Sequence, residues 1–224
     1  MGCLALIPAR SGSKGIPKKN IKVFNGKPLI YWTIKNALNN KNIDKVVVST
    51  DSEEIAEIAK SFSAEVPFLR PSHLAQDNTP GIATIKHAID ELPWVSDILL
   101  LQPTSPLRRK IDIDNIFDLR SKYGSNSAIS LTQCSSHPNL IYKLKESNLI
   151  KPLIRESKIE NRQSMETFFK INGALYLSTR ESIEKYNSLI TQETVGYIMP
   201  EQFSVDIDSP LDWEIAEYLM KKKA

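Results

Sequence analysis

Two periodicities alternate along this chain, and that alternation constrains its fold more than any single residue. Residues 4–7, Leu-Ala-Leu-Ile, are apolar throughout and stop at Pro8. Lys45–Ser49 is a β-branched run, and Ser52-Glu53-Glu54 then opens an acidic first turn followed by apolar Ile55, Ala56, Ile58 and Ala59. That is the signature of an N-cap and an amphipathic helix. The same exchange recurs: strands are expected at 66–69, 98–101, 128–132, 171–177 and 197–199, and helices at 81–92, 111–122, 180–186 and 210–220, the last with Pro210 at its start. Strands alternating with helices predict an α/β fold in three layers, a mostly parallel sheet flanked by helices.

The alternation lapses after residue 134. Residues 137–168 are polar, with short apolar alternations at 141–144 and 149–154, which read as a β-hairpin excursion from the main sheet. A length of 224 residues suits one domain, 1–224, that carries this excursion within it. The net charge of +3 and the lack of a dense basic block beyond the first loop argue against nucleic acid or a membrane surface as partner. Lys221, Lys222 and Lys223 read as a solvated helix end. Cys3 and Cys134 fit no metal or redox spacing and are expected to be buried thiols in a reducing, cytoplasmic setting. The first apolar run is too short for a signal peptide, and Leu6 stands where a myristoylation start needs Ser or Thr.

Polar motifs fall where the strands end, which in open α/β sheets is where ligands sit. Residues 10–20 combine Gly12 and Gly15 with Arg10, Lys14, Lys18 and Lys19. Glycine lets backbone N–H groups approach an anion closely and the cations supply charge, so the loop is built for phosphate, a nucleoside triphosphate above all. Neither G-x-x-x-x-G-K-[ST] nor G-x-G-x-x-G is present. Ser49-Thr50-Asp51, Arg70-Pro71, Gln76-Asp77-Asn78-Thr79 and 102–108, Gln-Pro-Thr-Ser-Pro-Leu-Arg, follow the next strands. Ser-Thr-Asp taken alone reads as a helix cap. In Ser204-Val205-Asp206-Ile207-Asp208, strand alternation puts both carboxylates on one face, where they repel unless a cation such as Mg²⁺ joins them. Gly173 inside a strand pattern signals a close approach, and Arg162 and Lys170 are candidate carboxylate binders. His73, His87 and His137 show no ligand spacing.

These residues make the chain recognisable. Ile-Pro-Ala-Arg-Ser-Gly-Ser-Lys-Gly-Ile-Pro-Lys-Lys-Asn at 7–20 resembles the signature loop of the acylneuraminate cytidylyltransferases, the CMP-sialic acid synthetases. Ser-Thr-Asp at 49–51, Leu-Gln-Pro-Thr-Ser-Pro-Leu-Arg at 101–108, Asn-Gly-Ala-Leu-Tyr at 172–176 and Asp-Ile-Asp at 206–208 follow in that family's order, nearly end to end. The resemblance implies a Rossmann-like nucleotide-sugar transferase fold. It also implies a reaction in which CTP and a nine-carbon 2-keto sugar acid give the CMP-sugar and pyrophosphate. By the same analogy Arg10, Ser13, Lys14, Lys19, Asn20, Arg70 and Thr79 hold the nucleotide. Gln102, Arg162, Lys170, Asn172 and Tyr176 face the sugar. Asp206 and Asp208 hold Mg²⁺ or another divalent ion such as Mn²⁺. Lys14, Arg10 and Asp208 carry the catalytic roles, and Lys14 neutralises charge on the transferring phosphorus centre. The family often has Arg where this chain has Lys170, and Gly81 lacks the hydroxyl that many relatives place near the start of that helix, a part Thr79 takes here. The resemblance further implies a homodimer whose hairpins embrace. The alternatives are a 3-deoxy-manno-octulosonate cytidylyltransferase, against which Gly-Ser-Lys-Gly at 12–15 argues, and a non-catalytic nucleotide-binding protein on the same scaffold.

Overall fold

The computed structural model describes residues 2–38, 40–154 and 166–223. The chain opens with β1 (Gly2–Pro8), the short strands β2 (Val23–Phe24) and β3 (Lys27–Pro28), and α1 (Leu29–Leu38). Then come β4 (Lys45–Ser49), α2 (Glu53–Ser61), α3 (Gly81–Glu91), β5 (Val95–Leu100), α4 (Lys110–Tyr123) and β6 (Ser127–Gln133). A small hairpin, β7 (Tyr142–Leu144) and β8 (Ile150–Pro152), precedes β9 (Phe169–Thr179), α5 (Arg180–Tyr186), β10 (Val195–Ile198) and α6 (Pro210–Lys223).

Six strands form the central sheet in the order β10-β6-β9-β5-β1-β4. Pairing is parallel for β1 with β4 and β5 and for β10 with β6. β9 runs antiparallel to both of its neighbours, β5 and β6. This reversal matters for the site, because β9 begins at the edge where the parallel strands end. Leu100, the last residue of β5, pairs with Tyr176, so residues 169–175 of β9 lie at or beyond the carboxyl edge.

Side chains alternate across the sheet and build a layer on each face. Ala5, Ile7, Val46, Val48 and Leu99 pack against Ile30, Ile34, Ile55, Ala59, Ile113 and Ile116 of α1, α2 and α4. Leu4, Leu6, Val47, Ile98 and Leu100 pack against Ile85, Ala88 and Ile89 of α3 and Ile183 of α5. A third cluster, Ile16, Phe24, Leu29, Leu107, Ile207, Trp213 and Ala216, ties the first loop to the chain before α6. No helix among the described residues is long and apolar enough to cross a membrane.

The sequence-based strand at 66–69 does not form. Val47 makes one bridge to Glu65 and pairing stops there. Pro67 lacks a donor, and from Arg70 N to Thr50 O (2.7 Å) the chain merely runs beside the end of β4. Residues 204–208 are likewise an extended connection rather than a strand, although their alternation survives, with Val205 and Ile207 turned into the third cluster. β2, β3 and α1 were not anticipated, yet Asn25-Gly26 at φ 46° and 81° is the strongest short hairpin signal a sequence carries. Cys3 is buried and its thiol is pushed up to about 12 by that burial, whereas Cys134 is only half-buried, contrary to expectation.

Candidate active site at the carboxyl edge

The ends of β1 and β5 open on a cleft of about 420 Å³, which the segment from Arg70 to the first turn of α3 closes on another side. Of the residues singled out in the sequence, Arg10, Ser13, Lys14, Lys19, Asn20, Arg70, Thr79, Gln102 and Asp208 line it. The first loop is fixed over the sheet by its own polar groups. Asn20 is buried and its Nδ2 donates to Arg10 O (3.0 Å). Ser11 donates through its N (2.8 Å) and its Oγ (2.7 Å) to the two oxygens of Asp51. Asp51 is therefore a clasp on the loop and not the cap its position suggests; the cap of α2 is Ser52, whose Oγ accepts from Ile55 N. Partial burial works against the Asp51 charge, but the bonds from Ser11 outweigh it and hold the carboxyl below the usual range.

The loop's four cations divide in two. Lys18, in the left-handed region, turns away to Glu54 (2.8 Å) and leaves the cleft. Arg10 and Lys14 reach across to Asp77, at 2.6 and 2.9 Å. Lys19 is largely buried, and its Nζ donates to Ile207 O (2.6 Å) and Asp208 Oδ1 (3.1 Å), binding the first loop to the acidic segment. Gly15 makes the same junction from the backbone: a Cβ there would lie 2.3 Å from Asp208 O. Gly12 faces open space. Beneath the cleft Arg70 is buried, donating to Ser49 O (3.1 Å) and Thr84 Oγ1 (3.0 Å), and burial lowers its pKa.

Neither Asp206 nor Asp208 caps the helix that follows them. The cap of α6 is a box in which Asp212 N donates to Ser209 Oγ (3.2 Å) while Asp212 Oδ2 accepts from Ser209 N (2.7 Å). Asp208 is thus free of capping duty and its side chain is 76% exposed. Asp206 is half-buried and its Oδ1 has no hydrogen-bond partner. Burial raises its pKa; a bond from Thr104 lowers it and the charge of Asp208 raises it again. A buried carboxylate oxygen without a donor, beside a second carboxylate, fits a cation. Among the described residues no group of three or more His, Cys, Asp or Glu gathers as a metal cage, here or elsewhere, so the two carboxylates alone would leave the remaining ligand positions to substrate and water.

The residues expected to face the sugar are only partly brought together. Gln102 lines the cleft and lies against Gly173, where a Cβ would meet Gln102 Oε1 at 2.8 Å and Asp206 Oδ2 at 3.4 Å. Gly173 sits at φ +76°, so glycine is required there by both conformation and space. Tyr176 is half-buried, and burial followed by the charge of Asp206 raises its pKa. Lys170 is exposed at the start of β9. Asn172 is buried, with its amide committed to Ser130 Oγ and Ser204 Oγ (2.9 Å), so it shapes the bend of β9 rather than lining the cleft. Arg162 lies outside the described residues.

Arg108 closes the sequence motif at 101–108, which carries no separate role for it. Its guanidinium is fully buried and no carboxylate among the described residues pairs with it; burial pushes its pKa down to about 9. It donates to Ala174 O, Thr33 Oγ1 (2.9 Å) and Gln102 O (3.5 Å), clamping the two segments that meet at Gly173.

Comparison with known proteins gives the family. The profile of the cytidylyltransferase family matches residues 4–220. A CMP-N,N'-diacetyllegionaminic acid synthase from Legionella pneumophila is 35% identical over 99% of this chain and 97% of its own length. A pseudaminic acid cytidylyltransferase from Campylobacter jejuni is 31% identical over 97% of the chain and 96% of its own. An N-acylneuraminate cytidylyltransferase from Streptococcus agalactiae is 32% identical, but the chain spans 51% of that longer protein. Among solved structures, a CMP:2-keto-3-deoxy-manno-octonic acid synthetase complexed with CTP covers the whole chain with a TM-score of 0.76 at 16% identity, a likeness of fold. The chain belongs to the cytidylyltransferase family.

Proposed function

We propose that this cytidylyltransferase joins CTP to a nine-carbon 2-keto (nonulosonic) sugar acid, giving the CMP-sugar and pyrophosphate. The observation that supports this most directly is the junction of a cationic loop with an uncapped carboxylate pair. Lys19 and Gly15 press the loop that carries Arg10 and Lys14 onto Asp208. The relatives at 31–35% identity, named for legionaminic, pseudaminic and N-acylneuraminic acids, give the sugar class.

Phosphoryl transfer asks for positioning and charge neutralisation more than for acid–base groups. The anomeric hydroxyl oxygen attacks the α-phosphorus; a P–O bond forms there as the bond to the β-phosphate oxygen breaks. Pyrophosphate carries off that electron pair, and the hydroxyl proton passes to solvent. Arg10 and Lys14 hold the phosphates, with Lys14 nearest the charge that develops in transfer. Ser13 and Thr79 offer hydroxyls from the cleft wall, Asn20 fixes the loop and Arg70 supplies positive potential from below. Gln102 orients the sugar, and Lys170 and Tyr176 stand on its side of the cleft. Asp206 and Asp208 would hold Mg²⁺ or a similar divalent ion, which would supply charge neutralisation for the phosphates. The test is pyrophosphate release with CTP, Mg²⁺ and a panel of 2-keto sugar acids. Release with a nonulosonic acid and not with 3-deoxy-manno-octulosonate is expected; the reverse preference would move the enzyme to the eight-carbon class.

The working form is proposed to be a homodimer. Ile141, Tyr142, Leu144, Leu149 and Ile150 of the hairpin are exposed, and so are Phe169 and Ile171 at the start of β9. A two-stranded hairpin is marginal alone and needs a surface to cover such a face, and a two-fold pair is the commonest way to supply one. Light scattering at micromolar concentration is expected to give twice the chain mass. A clean monomer with full activity removes the dimer from the proposal.

A further inference from the structure

The two cations that a triphosphate needs are already engaged in this cleft. Asp77 spans them, Oδ1 lying 2.6 Å from Arg10 Nη2 and Oδ2 2.9 Å from Lys14 Nζ. One carboxylate oxygen on each cation is the arrangement by which a phosphate would bridge the same two groups. Asp77 belongs to the segment between the 3-10 turn Ser72–Leu74 and α3. That segment is held by a turn from Thr79 N to Gln76 O (3.2 Å) and by Thr79 Oγ1 donating to His73 O (3.1 Å). Arg10 Nη1 makes a long contact with Ala75 O (3.4 Å).

The contact has the properties of an exchangeable one. The Asp77 side chain is 46% exposed and that of Lys14 is 78% exposed, so water screens the pair and loosens it. The contrast is Lys19 with Asp208: Lys19 is 14% exposed and also donates to the Ile207 backbone, which makes that pair part of the frame. Hydrogen bonds from Lys14 and then Arg10 hold the Asp77 carboxyl below its usual range, and it is ionised throughout neutral pH. A phosphate group arriving at Arg10 and Lys14 meets a like charge, and both anions cannot occupy the two cations together.

We propose that Asp77 is an internal competitor for the nucleotide's phosphates. It occupies Arg10 and Lys14 in the empty cleft, yields them to the triphosphate and takes them back as pyrophosphate leaves. The residue thereby sets how tightly the cleft holds polyphosphate and how readily it releases the product. This rests on the reading of the cleft as a nucleoside triphosphate site.

The experiment is calorimetric titration of pyrophosphate, and separately of CTP, into the full chain at low salt with chelator present, for the wild type, Asp77→Asn and Asp77→Ala. Both variants are expected to bind pyrophosphate about twofold to fivefold more tightly, the scale of one exposed competing charge. The gain should shrink as salt is added. A residue that only orders its loop would weaken binding or leave it unchanged on removal. If the wild type binds pyrophosphate and both variants bind it equally or less well, Asp77 is no competitor, and the nucleotide site stands. If neither compound binds any of the three proteins at millimolar concentration, with chelator or in a parallel titration with Mg²⁺, the nucleotide reading falls and this inference falls with it.

Discussion

Replacing Asp208 by alanine lowers turnover about a hundredfold or more, because the several kcal/mol that a phosphate-bound divalent ion contributes is lost with its ligand. The fold survives the change. Asp208 contacts Lys19 at 3.1 Å and is otherwise exposed, and Ser209 with Asp212 carries the cap of α6. A melting temperature close to wild type should therefore accompany the loss. Asp206→Asn separates charge from shape at the neighbouring position, where Oδ1 has no protein donor to lose. Both variants should show weaker binding of Mg²⁺ or Mn²⁺ by titration in the presence of CTP. Burial raises the Asp206 pKa, so its ionised form disappears at a higher pH than that of an ordinary carboxylate. Ion affinity and activity are then expected to fall together on the acid side, starting from that raised value. Full turnover by a folded Asp208→Ala protein would remove the metal assignment.

The fold was legible where one residue pattern decides one element. β4 and α5 have the bounds their sequences suggest, since Lys45–Ser49 is β-branched between turn residues and Thr179 caps Arg180–Tyr186. Direction was not legible. The apolar run in β9 suits a parallel or an antiparallel strand equally, and the reversal depends on where the chain returns after residue 134. The strand expected at 66–69 failed because composition does not reveal whether an edge offers partners: β4 gives up its pairing at Glu65.

The site was legible as a set of strand ends, because in a parallel sheet every loop after a strand arrives at one edge. What each residue does there was less so. Asp51 looks like a cap in sequence and is a clasp on Ser11, a contact between residues 40 positions apart. Asn172 sits in a motif that points to the sugar, yet its amide is used inside the sheet. Arg108 emits no sequence signal of burial, since isolated arginines are usually solvated. In each case the deciding fact is a partner from elsewhere in the chain.

Gly15→Ala is expected to separate geometry from chemistry. It removes no charge and no hydrogen-bonding side chain, yet the new Cβ would stand 2.3 Å from Asp208 O, which is backbone and cannot rotate away. One of the two segments must therefore retreat by about 1 Å, and displacement on that scale costs reactions held in a near-attack geometry roughly tenfold to a hundredfold. The clash is with backbone, so relieving it costs stability as well, on the scale of about 1–3 kcal/mol for overpacking, a melting shift of about 2–4 °C per kcal/mol for a domain this size; the folded fraction at assay temperature should stay close to complete. The retreat also pulls Lys19 from Asp208, so the loss should fall mainly on turnover and on divalent-ion dependence, with CTP binding less affected because Arg10 and Lys14 remain on the loop. Steady-state kinetics at several Mg²⁺ concentrations, read beside a melting curve, makes the distinction. A variant with wild-type turnover would mean that the loop and the acidic segment tolerate separation, and that catalysis does not depend on the junction Gly15 makes.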